Sequence, residues 1–262
     1  MTVYTVALSK GGSTKTTTAA EVVAALTRAG RRVLAIDLDH QGTLSQRLGV
    51  DDDTEVPGTA AEVLTGQADA GQAAVESPSV PGAHVLVGTY ELNTLETKPE
   101  VITALKEHLP EVAGEWDDVV IDTPPGQGLV TLAALAAAEV VIAAVATEGE
   151  AYDQVARLEE LIEHRVAPRL NRGCRLDWIV PTRHDGRRLH DRDVLAALRE
   201  DYGSRVTGTV RETVTVRDAY LAGRPVSLYA PAAEVSADYA AALEPIVAAS
   251  TAQTPATAER QV

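Results

Sequence analysis

The feature that most constrains the fold is a nine-residue run, SKGGSTKTT, at residues 9–17. It follows the short apolar stretch VYTVAL at residues 3–8 and leads into TAAEVV at residues 18–23. A buried strand, a glycine-bearing turn and a helix N-terminus in this order direct several N–H groups at one point, because the first turn of a helix leaves those groups unpaired. The run therefore predicts an anion site, with a nucleotide phosphate as the anion.

Two lysines strengthen this interpretation. The chain has 4 lysines against 19 arginines, and Lys10 and Lys15 both lie within the run. A compact ammonium is retained where the planar fork of arginine would not fit. Lys15 is predicted to contact the β- and γ-phosphates, and the Thr16 hydroxyl to be a Mg²⁺ ligand. The predicted nucleotide-binding residues of the run are Lys10, Gly11, Gly12, Ser13, Thr14, Lys15, Thr16 and Thr17. The alternative is a Gly/Ser/Thr loop that caps an ordinary helix.

The run departs from the consensus G-x-x-x-x-G-K-[ST] at two positions, since Ser9 replaces the first glycine and Thr14 precedes Lys15. With its additional Lys10, it resembles the deviant Walker A box of the ParA/Soj/MinD family of P-loop ATPases. The resemblance implies ATP, ADP and Mg²⁺ as ligands. It also implies an ATP-bound homodimer in which Lys10 reaches the nucleotide of the other subunit.

Beyond the loop, short β-branched runs alternate with longer helical patterns, which predicts an α/β fold with a mostly parallel sheet. We expect a single doubly wound domain over residues 1–250, flanked by helices on both faces, and a disordered polar tail at residues 251–262. Residues 51–81 are acidic and weakly patterned, and are expected to form a surface excursion with one helix near Thr59 to Leu64.

Two predicted strands end in carboxylates, at DLDHQG (residues 37–42) and at DVVIDTPPG (residues 118–126). Ligands of open α/β sheets collect at this end of the strands. By the resemblance, Asp37 orients the attacking water and contacts the metal, and Asp122 is a Walker B-like residue that holds Mg²⁺ through a water. His40 replaces a proline of the family's D-x-D-P-Q box, which loosens the turn. The predicted catalytic residues are thus Lys10, Lys15 and Asp37, and the metal site is Thr16, Asp37 and Asp122.

Charge is unevenly distributed along a chain whose formal net charge is −15. From Arg157 to Arg224 there are 14 basic and 11 acidic residues, against 9 and 27 elsewhere, so this region carries +3 and the rest −18. By the resemblance, Pro181 and Thr182 lie beside the adenine, and Arg187 lies on a DNA-facing surface that Arg188 and Arg192 extend. Short basic clusters are also common as solvated faces.

Several sequence features that would indicate a membrane, secretion or a specific DNA operator are not found, and this limits the partners that we expect. We expect no membrane span, signal peptide, N-terminal helix-turn-helix extension or basic amphipathic C-terminal helix. The single Cys174 excludes an internal disulfide and cannot by itself hold a zinc or iron–sulfur site. We expect a cytoplasmic, nucleoid-associated partition ATPase with non-specific DNA and a ParB-like centromere-binding protein as partners, and no membrane. Two alternatives remain: a metabolic P-loop ligase of the dethiobiotin-synthetase kind, which would not need Lys10, and a non-hydrolysing positioning scaffold, suggested by Thr14. A GTPase is disfavoured, because no N/T-K-x-D motif occurs.

Overall fold

A seven-stranded sheet forms the centre of the computed structural model, which describes residues 1–10, 12, 14–51 and 53–253. The strands are β1 (Thr2–Val6), β2 (Val33–Asp37), β3 (Val75–Glu76), β4 (Ala83–Leu86), β5 (Asp118–Asp122), β6 (Val140–Ala146) and β7 (Leu176–Thr182). They lie in the order β3-β4-β2-β5-β1-β6-β7. All neighbouring pairs are parallel except β3 with β4.

Helices cover both faces of this sheet. They are α1 (Lys15–Arg28), α2 (Thr43–Arg47), α3 (Ala60–Leu64), α4 (Ala70–Ala73), α5 (Leu92–Leu95), α6 (Val101–His108), α7 (Leu129–Ala137), α8 (Ala151–Leu161), α9 (Leu189–Tyr202), α10 (Thr215–Leu221), α11 (Val226–Tyr229) and α12 (Glu234–Gln253). A 3₁₀ turn, Leu109–Val112, follows α6, a π turn, Ile162–Val166, follows α8, and a second 3₁₀ turn, Gly203–Arg205, follows α9. No described helix has the length and apolar character needed to cross a bilayer.

Alternation along β1 shows how the two faces are divided. Tyr4 and Val6 pack into a core shared with α1 and α12, whereas Val3 packs into the opposite core with α6 and α7. The Thr5 hydroxyl, on the Val3 face, donates to the Ala134 carbonyl at 3.1 Å. Because side chains alternate with period two, β1, β2, β4 and β5 contribute to both of these cores, whereas β6 and β7 contribute to the first core and to a third cluster packed with α8. The predicted doubly wound α/β fold is therefore confirmed.

The segment between α2 and β4 differs from the prediction. Ala60, Val63 and Leu64 of α3 are buried, and β3 closes one edge of the sheet by pairing with β4 in antiparallel orientation. The prediction of a surface excursion was thus wrong, because small alanines can be buried without the bulky periodic pattern that marks a core helix.

The chain end is described in part. The first three residues of the predicted tail, Thr251 to Gln253, continue α12 in the backbone. Residues 254–262 lie outside the described part of the chain, so the tail prediction is not tested there.

Candidate nucleotide-binding site

The phosphate cradle forms where β1 passes into α1 at the carboxyl edge of the sheet. Lys15 is the first residue of α1 and is 95% buried, and its Nζ donates to the Lys10 carbonyl at 3.1 Å. Burial lowers the pKa of this ammonium, while the Asp122 and Asp39 carboxylates act in the opposite direction. Gly12 has φ 72°, a left-handed conformation that glycine adopts without strain. Gly11 and Ser13 lie outside the described residues.

Thr14, the N-cap of α1, is also left-handed, with φ 72° and ψ 11°. The backbone accommodates this β-branched residue in the turn at a cost of about 1–2 kcal/mol. The Thr14 hydroxyl lies 2.5 Å from the Thr182 hydroxyl at the end of β7. This pair joins the predicted phosphate loop to the predicted adenine side of the site.

A cavity of about 510 Å³ opens beside the cradle. Of the predicted binding residues, Gly12, Thr14, Lys15, Thr16, Thr17 and Thr182 line it. The opposite wall comes from the segment between β7 and α10 and from α10 itself: Arg183, Val210, Arg211, Glu212, Thr213, Val216, Arg217 and Tyr220. Pro181 is not part of the wall; it is buried in the sheet, and its carbonyl accepts a hydrogen bond from Val210 N at 2.8 Å.

Asp37 is held inside the protein rather than presented to this cavity. It is fully buried, and its Oδ2 accepts from Ser45 N at 2.8 Å and from Ser45 Oγ at 2.9 Å. Its Oδ1 accepts from Asp39 N at 3.1 Å. Burial raises the pKa of Asp37 to about 6, against the effect of these hydrogen bonds. Asp37 therefore shapes the turn that follows β2.

Asp39 is the carboxylate of this turn that lines the cavity. Its Oδ1 accepts a hydrogen bond from Gln41 N at 3.0 Å and lies 3.4 Å from the His40 ring. Asp37 does not line the cavity and its oxygens accept hydrogen bonds from its own turn, so its predicted part in orienting the attacking water stays a prediction.

Two further residues fix this turn and were missed in the sequence. Ser45 donates to Asp37 and accepts from Gly88 N at 3.3 Å. A Cβ at Gly88 would lie 2.6 Å from the Asp39 carbonyl and 2.8 Å from the Asp37 carbonyl, so only glycine fits there. Neither residue belongs to a recognisable motif, and only their contact with the D-x-D turn identifies them.

Asp122 fits the predicted magnesium role. It pairs with Asp37 in the β2–β5 register, is fully buried, and neither of its oxygens has a hydrogen-bond partner within normal geometry. Burial and the nearby Asp37 charge raise its pKa to about 8, while the approach of the Thr16 hydroxyl and of Lys15 acts in the opposite direction. An orphaned buried carboxylate next to Thr16 is a suitable partner for a metal-bound water.

No group of three or more His, Cys, Asp or Glu side chains suited to a metal occurs in the described part of the chain. Thr16 would bind a Mg²⁺ ion here directly and Asp122 would hold it through a water, while phosphate oxygens and further waters would complete the coordination, as is common for this cation. The side chains present are therefore compatible with Mg²⁺ bound together with a nucleotide.

Lys10 is not part of the cavity wall. Its Nζ lies 3.9 Å from Glu150 Oε2 at the start of α8, and both side chains are largely exposed. An exposed pair of this kind contributes little to stability, so the ammonium is available to another partner.

The predicted DNA-facing arginines are exposed but lie next to carboxylates. Arg187, with 91% of its side chain exposed, pairs with both oxygens of Asp185 at 2.9 Å. Arg188 lies 3.6 Å from Asp185 and 3.9 Å from Glu212. These contacts hold the pKa of Asp185 well below its usual range. Arg192 is exposed on the first turns of α9.

Known proteins resemble the chain over most of its length. Residues 1–173 match a family model described as an AAA domain. The chain is 37% identical over 242 residues to the chromosome-partitioning ATPase Soj of Thermus thermophilus. This match covers 91% of this chain and 92% of the relative. It is 32% identical over 234 residues to the chromosome partitioning protein ParA of Caulobacter vibrioides, and this match covers 87% of this chain and 86% of the relative.

A solved structure, cobyrinic acid a,c-diamide synthase from Mycobacterium smegmatis with bound ADP and magnesium, has a TM-score of 0.73 and 35% identity, covering 86% of this chain and 91% of that one. Fold, site and relatives together define a P-loop ATPase of the partition and positioning type. The chain belongs to the ParA/Soj family.

Proposed function

We propose that the protein is a Mg²⁺-dependent ATPase that hydrolyses ATP slowly and couples ATP binding to dimerisation and to non-specific DNA binding. One observation carries the proposal: Lys15, Asp39 and Thr16 line one cavity at the carboxyl edge of the sheet, with the orphaned carboxylate of Asp122 beside it. An ammonium group for the phosphates and carboxylates for the metal and the attacking water are what the hydrolysis of a nucleoside triphosphate requires.

In the proposed reaction Lys15 releases the Lys10 carbonyl and binds the β- and γ-phosphates. The backbone N–H groups of the loop and of the first turn of α1 stabilise the same phosphates. Thr16, and Asp122 through a water, would hold Mg²⁺, which would supply positive charge to the phosphates. Asp39 orients the attacking water from the cavity wall, and Ser45 and Gly88 hold the Asp37 turn so that Asp39 stays in place. Positioning and electrostatics supply the rate enhancement.

Lys10 supplies the link to dimerisation. Among the described residues its ammonium pairs only with the exposed Glu150, at 3.9 Å, so reaching a nucleotide in a second subunit costs little. ATP is therefore expected to convert monomer to dimer, and ADP is not. Sedimentation velocity with each nucleotide measures this step, and a Lys10→Ala variant should remain monomeric with ATP.

DNA binding is proposed to need the dimer. The surface formed by Arg187, Arg188 and Arg192 should have low affinity for DNA in the monomer, because Asp185 and Glu212 partly neutralise Arg187 and Arg188. A dimer presents two such surfaces and doubles the contacts with DNA phosphates. Each neutralised phosphate releases counterions, so affinity should fall steeply with salt. A ParB-like partner would then trigger hydrolysis and release the protein into the cytoplasm.

The DNA step is tested with a matched pair of variants. Arg187→Ala should keep the ATP dimer and lose DNA binding. Arg175→Ala is the control, because Arg175 is likewise exposed and paired to a nearby aspartate, Asp177, at 2.9 Å, but lies before the opposite end of β7. Equal DNA binding by both variants, or equal binding by the ATP and ADP forms, would contradict the DNA step and leave the ATPase proposal standing.

A second candidate is an ATP-dependent ligase that activates a carboxylate. It is favoured by the likeness to cobyrinic acid a,c-diamide synthase and by a second cavity, about 470 Å³, lined by Arg187, Arg188 and Arg211. Carboxylic acids and glutamine would then stimulate ADP release in the absence of DNA, and Lys10→Ala would keep that activity. Stimulation by DNA and a partner protein, lost in Lys10→Ala, supports partition instead.

A further inference from the structure

Arg47, the last residue of α2, differs from the other partly buried arginines. Among the arginines that the structure describes, four are partly buried: Arg31, Arg47, Arg183 and Arg205. Three of them pair with carboxylates, namely Asp118 for Arg31, Glu148 and Glu212 for Arg183, and Glu159 for Arg205. Within the described residues Arg47 has no carboxylate within 4.0 Å, and its buried Nε has no hydrogen-bond partner.

The surroundings of Arg47 hold it without neutralising it. The ring of Tyr220 lies 4.7 Å from Arg47 Cζ, and the Tyr220 hydroxyl donates to Gln46 at 2.5 Å. The nearest elements carry two acidic groups that act on Arg47 at longer range, Glu21 on α1 and Asp122 at the end of β5. Glu21 already accepts from Ser227 N at 3.2 Å. Burial consequently lowers the pKa of the guanidinium.

A buried cation without a partner costs free energy, and it is retained only where something compensates for it. Arg47 lines the same cavity as Lys15 and Thr17. It reaches that cavity from α2, which follows directly on the D-x-D turn. The unneutralised guanidinium of Arg47 therefore borders the space that a nucleotide would occupy, and an anionic group of that nucleotide could neutralise it.

We propose that Arg47 is a second cationic contact for the bound nucleotide, reaching its phosphate chain from the side opposite the loop, with Tyr220 holding the guanidinium plane in position. The inference rests on the proposed nucleotide function and adds a binding residue to that site. Arg47 sets affinity for the phosphorylated ligand and takes no part in the orientation of water.

The test uses effects of opposite sign. Arg47→Met keeps the volume of the side chain and removes the buried charge, so the nucleotide-free protein should melt about 2–4 °C higher. The same variant should bind ADP and ATP roughly 10- to 100-fold more weakly, the range for a hydrogen bond to a charged group. Arg47→Lys should recover part of the affinity, because it restores charge without the planar fork. Isothermal titration gives the affinities and calorimetry the melting temperatures.

Arg199→Met, on the exposed face of α9, is the control and should change neither quantity. Unchanged ADP affinity in Arg47→Met would overturn the inference while the proposed ATPase stands. A lower melting temperature together with weaker binding would also overturn it, because Arg47 would then be structural. Failure of the wild-type protein to bind ADP or ATP would refute the proposed function and this inference with it.

Discussion

The hydroxyls of Thr14 and Thr182 lie 2.5 Å apart and join the turn before α1 to the end of β7, and both residues line the cavity beside the cradle. Thr14 holds this contact in a left-handed conformation with φ 72°. The sequence departure at Thr14 is therefore compensated by a partner that lies far along the chain.

Substitutions at Thr14 should separate strain from the hydroxyl contact. Thr14→Gly relieves about 1–2 kcal/mol of strain and loses one hydrogen bond of about 1 kcal/mol, so stability should stay close to wild type. Thr14→Val also loses this hydrogen bond but retains the strain, so it should unfold at a lower denaturant concentration than Thr14→Gly. Urea unfolding of the nucleotide-free protein measures both. The reverse order would show that Thr14 is unstrained.

The two aspartates of the D-x-D turn should give different phenotypes. Asp39→Ala is expected to fold normally, to bind ATP and to lose turnover. Asp37→Ala leaves the Ser45 and Asp39 N–H groups without their acceptor, and should destabilise the protein by about 1–3 kcal/mol. Lys15→Ala is the reference for lost binding. Steady-state hydrolysis with thermal unfolding separates the three, and a stable, inactive Asp37→Ala beside an active Asp39→Ala would restore the role first predicted for Asp37.

Asp122 should make the nucleotide-free protein less stable as pH rises. Its pKa is raised to about 8, from about 3.9 in an unfolded chain, so the folded state binds the proton more tightly and loses stability between these values. Asp122→Asn mimics the protonated form and should raise the melting temperature more at pH 8 than at pH 5. An equal rise at both pH values would contradict the shifted pKa. The same variant should lose Mg²⁺-dependent turnover.

Cys174 is expected to be chemically inert in the folded protein. Burial raises the pKa of its thiol to about 12, so at pH 8 only about one molecule in 10⁴ carries the reactive thiolate. Labelling with iodoacetamide should be slow in buffer and fast in 6 M guanidinium, where the thiol regains its ordinary pKa. Rapid labelling of the folded protein would show that this part of the α8–β7 region opens readily.

The local patterns of the sequence were sufficient to predict the α/β fold and the position of the phosphate cradle. A strand, a glycine turn and a helix lie within the first 28 residues, and each of Asp37 and Asp122 ends a strand whose five residues are all buried. The sequence could not decide between Asp37 and Asp39, because both follow the same strand. The choice depends on Ser45 and Gly88, whose contacts with the turn form only in the folded protein.

The same reason explains why Arg47 and β3 were missed. Arg47 stands out because it has no carboxylate partner among the described residues and because the ring of Tyr220, on α10, lies beside it. Both features appear only in the folded protein. β3 has two residues, too few for an alternating pattern to be visible.

The edges of the sheet limit how copies of this protein can assemble. At one edge β3 exposes a strand of only two residues, and at the other the backbone of β7 already bonds to residues 206–211, through Thr207 N to the Ile179 carbonyl and Val210 N to the Pro181 carbonyl. Neither edge offers a free row of N–H and C=O groups to a neighbouring strand. These edges therefore disfavour continuous β-pairing between copies, and contacts between copies would form mainly through side chains on the helical faces.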